Sequence, residues 1–191
     1  MDILLDCIKN VFGNGFLEYF KEQEKKHKYF KLDNYQKVIQ KFVEDEERAR
    51  INYYRGTHVH FTRFLLVSIE KFNNERSIDF TELDPKDKLI WQLEHIIPQS
   101  NFEKGDSDKN KLGNLTLLHR DTNVKISDKD FDQKKKVLHG EEEWNFHINK
   151  VFQRDGFIKY DIDDRTTDLK NYLGDIINNH FDEYCETVLK I

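Results

Sequence analysis

The spacing of apolar residues divides the chain into a helical start, a short β-rich middle and a helical end. Residues 3–22 (LLDCIKNVFGNGFLEYFKEQ) carry apolar side chains at mixed helical spacings, interrupted by Gly13 and Gly15, and read as two short helices. Tyr35, Val38, Ile39 and Phe42 form one stripe and predict a polar amphipathic helix over 33–50. Residues 60–73 (HFTRFLLVSIEKFN) predict a buried helix through Phe61, Phe64, Leu65, Ile69 and Phe72, stopped at Asn73-Asn74. The period then changes. Residues 89–98 (LIWQLEHIIP) are a short apolar and β-branched run ended by Pro98, which predicts a strand. Residues 99–113 are polar, contain Gly105 and Gly113, and read as a loop; residues 114–119 (NLTLLH) read as a second strand. Residues 127–138 (SDKDFDQKKKVL) predict a helix with Ser127 as N-cap, acids in the first turn and lysines in the last, the polarity that suits the helix dipole. A final amphipathic helix is expected over 167–189, through Leu169, Tyr172, Leu173, Ile176, Ile177, Phe181, Tyr184 and Val188. The expected fold class is α+β, mostly α-helical, with a strand–loop–strand–helix middle flanked by N- and C-terminal helices.

Composition narrows the picture. A length of 191 residues suits one domain, or one domain with a helical extension. Fifteen Phe, eight Tyr and two Trp supply enough burial area for a core without a disulfide or metal staple. No apolar run approaches the ~18–20 residues of a membrane span. Asp2 and Asp6 stand where a signal peptide would carry positive charge. Cys7 and Cys185 lie near opposite ends with no CxxC, which points to the reducing cytoplasm. The net charge of −5 hides an asymmetry, because residues 104–139 carry more Lys and Arg than Asp and Glu while the rest of the chain does not. That stretch is either a solvated mixed-charge surface or a face that contacts phosphates.

Glu94-His95 ends the first predicted strand, Asn114 opens the second, and Asn123 follows it. A His at a strand end can act as general base on water. A carboxylate and an amide oxygen are hard ligands suited to Mg²⁺, and a second amide can hold the imidazole in one orientation. Hydrolysis of a phosphodiester needs an activated water, a cation at the departing oxygen and fixed geometry. Each residue also has a plain structural reading. His95 could be a satisfied core histidine, Asn114 a turn residue that tolerates left-handed geometry after Gly113, and Asn123 a helix N-cap.

EHIIPQS followed by KLGNLTLLHRDTNVKIS resembles the His-Asn-His (HNH, ββα-metal) endonucleases, and in particular the C-terminal nuclease domain of GmrSD-like, modification-dependent restriction and anti-phage proteins. Glu94, His95, Pro98, Gly113, Asn114, Leu115, Leu117, Leu118, Asn123, Phe131 and Lys134 carry the likeness. Ile162, Arg165 and Leu169 give a weaker echo, and RFLLVSIEKF resembles the preceding helix. The resemblance implies a ββα core at about 89–138 inside a nuclease domain spanning 58–191, with 1–57 a helical extension or adaptor. It implies a divalent-metal-dependent DNA endonuclease serving restriction or anti-phage defence. His95 would be the general base and Asn114 its orienting residue. Glu94 and Asn123 would hold Mg²⁺ or Mn²⁺, with Glu94 where many HNH enzymes place Asp. Lys111, His119, Arg120, Lys125 and Lys134 would contact nucleic acid. His119 and Thr122 stand where many relatives carry zinc-binding cysteines, so no structural zinc is expected. DNA is the implied partner, with an NTP-hydrolysing sensor domain in the same chain or a partner subunit; no membrane partner is implied. A decayed nucleic-acid-binding or regulatory module, and an RNA-directed nuclease, are the competing readings.

Overall fold

The structure is a computed structural model that describes residues 2–26, 36, 52–56, 58–74 and 76–190. The helix predicted over 33–50 lies, apart from residue 36, outside the described residues. Helix α1 (Asp2–Lys26) is two helical pieces joined at Gly13, whose φ of 81° is open to glycine and strained for other residues. The expected break is therefore there, as a kink. Helix α2 (His58–Asn73) matches the predicted buried helix and starts two residues earlier. The two helices share one core: Phe16 stacks on Phe64 at 4.4 Å, and Phe12 meets the same ring at 4.8 Å. Gly15 lies so close to His60 that a Cβ there would fall 2.3 Å from the imidazole.

Strands β1 (Trp91–His95) and β2 (Leu115–His119) form a two-stranded antiparallel sheet in which His95 pairs with Leu115 and Trp91 with His119. Side chains alternate across it. Leu93, Leu115 and Leu117 join the α2 core, while Leu118 joins a second cluster with Ile126, Phe131, Leu138 and Phe152. The connection from β1 to β2 runs through short 3-10 turns at Gln99–Asn101, Asp108–Asn110 and Leu112–Asn114.

Two predicted helices need correction. The single helix expected over 127–138 is a pair, α3 (Arg120–Ile126) and α4 (Phe131–Leu138). Ser127 is not an N-cap. It closes α3 with a φ of 49°, and Asp130 caps α4 by accepting the Gln133 N–H at 2.8 Å. The helix expected over 167–189 starts earlier and breaks. Helix α5 spans Asp161–Asn179, His180 interrupts it, and α6 (Phe181–Tyr184) continues into one π turn, Cys185–Leu189. The acids Asp161, Asp163 and Asp164 fill the first turn of α5, where the dipole favours them. Their polarity hid the helix start from a reading based on apolar spacing.

Buried Arg165 on α5 ties the parts together. Its guanidinium donates to the carbonyls of Gly113 at 2.8 Å, Leu115 at 2.9 Å and Ile148 at 2.8 Å. Burial lowers its pKa to about 9.

Glu70 on α2 is fully buried between Asn74 and the Ile148 N–H, and desolvation raises its carboxyl above the ordinary range. The folded state then holds that proton at a pH where the unfolded state has released it. Stability contributed by Glu70 is thus present below the ordinary carboxylate value and declines as pH rises through the raised one. Urea midpoints measured against pH should show this slope in the native chain, and Glu70→Gln should flatten it; parallel profiles would disprove the assignment.

Candidate functional site

The loop between the strands is closed around Asn114, which is wholly buried. Its Oδ1 accepts the Ile97 N–H at 2.8 Å, and its Nδ2 donates to the carbonyls of Ile97 at 3.1 Å and Lys109 at 2.9 Å. The Ile96 N–H donates to the Asn114 carbonyl at 2.9 Å. One side chain therefore joins the exit of β1 to the far end of the loop. Gly113 makes room for this. A Cβ there would lie 1.9 Å from the Ile162 carbonyl oxygen of α5. Gly113 is not among the positive-φ glycines, so close backbone approach, and not left-handed geometry, is what demands glycine.

His95, the last residue of β1, is 4% exposed. Asn114 does not touch its ring. The ring is held by residues on the two segments that Asn114 joins. Nε2 lies 3.2 Å from Asn110 Oδ1, and the Gln99 amide nitrogen lies 3.1 Å from Nε2 and 3.4 Å from Nδ1. The Tyr54 ring covers the imidazole at 4.2 Å, and the Tyr53 N–H donates to the Asn110 carbonyl at 3.0 Å. Desolvation is the main cause that lowers the His95 pKa to about 4, so the ring is neutral at physiological pH and can accept a proton. A phosphodiester anion alongside it would favour the imidazolium and raise that value.

Strand alternation sends Gln92 and Glu94 to the opposite face. There the Lys134 ammonium, with no exposed surface, donates to Glu94 Oε1 at 2.6 Å and to the His95 carbonyl at 2.5 Å. Burial raises the Glu94 carboxyl, with Lys134 pulling it back. Asn123, inside α3 and not at its cap, donates from Nδ2 to Gln92 Oε1 at 2.9 Å. Glu94 and Asn123 thus bring a carboxylate and an amide oxygen, both hard donors, to the face opposite the His95 ring. That set suits an ion that keeps most of its water and takes phosphate as a further ligand. Among the described residues no cluster of three His, Cys, Asp or Glu side chains forms a metal cage.

Lys134 bonds both Glu94 and the His95 backbone, and the Tyr54 hydroxyl, raised chiefly by desolvation, also feels the Glu94 charge.

A family model, the C-terminal domain of GmrSD restriction endonucleases, matches residues 36–171. The chain belongs to that family. No curated protein and no solved structure matches it. As a GmrSD C-terminal domain it is a nuclease domain of the restriction-endonuclease type.

The five side chains expected to meet nucleic acid are all engaged within the GmrSD-type domain. Lys111 pairs with Asp108 at 2.9 Å and Asp163 at 2.6 Å, Arg120 with Asp84 at 2.8 Å, and Lys125 with Glu141 at 2.6 Å. His119 is the N-cap of α3, accepting the Asp121 N–H at 3.3 Å. Half-exposed pairs such as Lys125–Glu141 are weak and can exchange a carboxylate for a phosphate. Lys134 cannot, since it is sealed beneath β1 and its charge goes to Glu94.

Tyr54, Gln99 and Asn110 were not read from the sequence. Gln99 and Asn110 carried a signal, four residues after His95 and four before Asn114. Tyr54 carried none, because its contact depends on how the segment before α2 folds back over the loop. A cavity of about 540 Å³, bordered by Lys150, Arg154, Arg165 and Tyr172, includes none of the predicted site residues.

Proposed function

We propose that this GmrSD-type domain is a divalent-metal-dependent endonuclease of the ββα class that hydrolyses DNA phosphodiesters. The carrying observation is the imidazole of His95 at the end of β1, held by Asn110 and Gln99 and under the ring of Tyr54. Its neighbour Glu94 and the α3 residue Asn123 would hold the ion. When bound, the ion stabilises negative charge on the phosphate and on the departing oxygen. His95 takes one proton from water, the water oxygen bonds to phosphorus, and the bond to the leaving sugar oxygen breaks. That oxygen is then protonated from solvent. Asn114 acts at one remove, by fixing the loop that carries Gln99 and Asn110. The strand order β1, β2, then α3 and α4 supports the ββα reading. Family membership supports DNA as substrate and defence as the setting, and two free cysteines, Cys7 and Cys185, fit the reducing cytoplasm.

Supercoiled plasmid should be converted to open circle by the purified chain with Mg²⁺ or Mn²⁺, and not with chelator. The Lys134–Glu94 pair favours a second reading, a binding or regulatory module whose carboxylate is already neutralised. That module would retain DNA on a gel without relaxing it under any divalent ion, so the same assay decides. An RNA panel run beside it tests the sugar preference.

A further inference from the structure

We infer that Asn110 is the positioning residue that holds His95 as its Nε2–H tautomer, leaving Nδ1 as the nitrogen that takes the proton from water. This rests on the nuclease reading for its purpose, and on geometry for its content. The Asn110 carboxamide oxygen, 3.2 Å from Nε2, can only accept, so the nitrogen facing it carries the hydrogen. Asn110 is 9% exposed, and both of its backbone groups are engaged, its N–H with Ser107 and its carbonyl with Tyr53. The side chain is therefore aimed by a closed turn and not by solvent. The Gln99 amide nitrogen lies 3.1 Å from Nε2 and 3.4 Å from Nδ1, so it rests against the ring along neither nitrogen's bonding direction and leaves the choice of tautomer to Asn110. Gln99 sits one turn after the strand and is half-buried.

The selection matters because the two ring nitrogens are distinct: one must hold a proton so that the other can receive one. In the transfer, the water O–H bond breaks, its proton bonds to Nδ1, and the ring becomes an imidazolium stabilised by its Nε2–H bond to the Asn110 oxygen. Without Asn110 the neutral ring divides between tautomers and loses its edge restraint. A partner that orients a catalytic or ligating His is worth about 10–100-fold.

The test combines imidazole nitrogen NMR of the ¹⁵N-labelled chain with plasmid relaxation kinetics in Mg²⁺. The native chain should show His95 protonated at Nε2 with a lone pair on Nδ1. Asn110→Ala should lose the single tautomer and lower kcat about 10–100-fold with KM little changed, while its thermal midpoint shows it folded. Asn110→Asp, which can still accept from Nε2, should keep the tautomer and recover most of kcat. Three results overturn the inference: a native Nδ1–H tautomer, an Asn110→Ala variant with the native tautomer, or Asn110→Asp no better than Ala in both readouts. Should Asn110→Ala be poorly folded, the native spectrum and the Asp variant still decide. Should the native chain relax no plasmid, the nuclease reading fails, while the spectra still decide the tautomer.

Discussion

His95→Ala is expected to lower metal-dependent plasmid nicking by about 10³-fold or more, with DNA retention on a gel and the thermal midpoint close to native. General-base catalysis alone contributes typically about 10²–10⁴-fold. His95 is the ring that the Asn110, Gln99 and Tyr54 contacts converge on. The substitution removes hydrogen bonds only to side chains that line the same pocket, and those groups can turn to water once the ring is gone. Stability is therefore expected to move far less than rate. Nicking rates measured under single-turnover conditions, alongside a melting curve, check both parts. Native-like nicking by pure His95→Ala protein would remove His95 from the chemistry.

The largest expected effect on folding comes from Gly113→Ala, about 3 kcal/mol of lost stability, since overpacking a filled site typically costs about 1–3 kcal/mol and backbone clashes lie at the upper end. The added Cβ would fall 1.9 Å from the Ile162 carbonyl oxygen, 2.9 Å from its carbon and 2.7 Å from Thr166 Oγ1. The backbone oxygen cannot rotate away, so α5 and the 112–114 turn must separate. That separation strains the Arg165 bond to the Gly113 carbonyl and the Thr166 bond from the Gly113 N–H. Because the next residue is Asn114, the loop clamp shifts too, and activity should fall with stability. Gly156→Ala, where the added carbon meets nothing within 4 Å, is the control and should be near neutral. Equal urea midpoints for the two variants would show that the 112–114 turn yields easily.

Elements with strong apolar periodicity were legible from the sequence. The stripe Phe61, Phe64, Leu65 and Ile69 is the buried face of α2, and the break near Gly13 is a real kink. Helix α3 was missed because it is short. Only Thr122 and Ile126 face inward, and Arg120, Asp121 and Asn123 look like a polar turn. Ser127 resembled a helix start because serine serves many turns, and only the chain direction after Ile126 shows that it ends one helix before Asp130 begins the next. The sequence places Lys134 among the lysines of a helix end, as a nucleic-acid contact. The helical turn directs it inward to a carboxylate, while Lys135 reaches outward to the Arg154 carbonyl.

The order of Glu94, His95, Gly113, Asn114 and Asn123 along the chain determined the family and the residues worth asking about, because residue type limits which protons and ions a side chain can handle. It did not determine which of them touch. Alternation along β1 puts Glu94 and His95 on opposite faces, and the Asn114 side chain spends its hydrogen bonds on backbone. The contacts to the His95 ring come from Tyr54, Gln99 and Asn110, each brought in by loop closure. Residue identity is local and survives in a string of letters. Contact depends on how distant segments pack, and only the folded chain decides that.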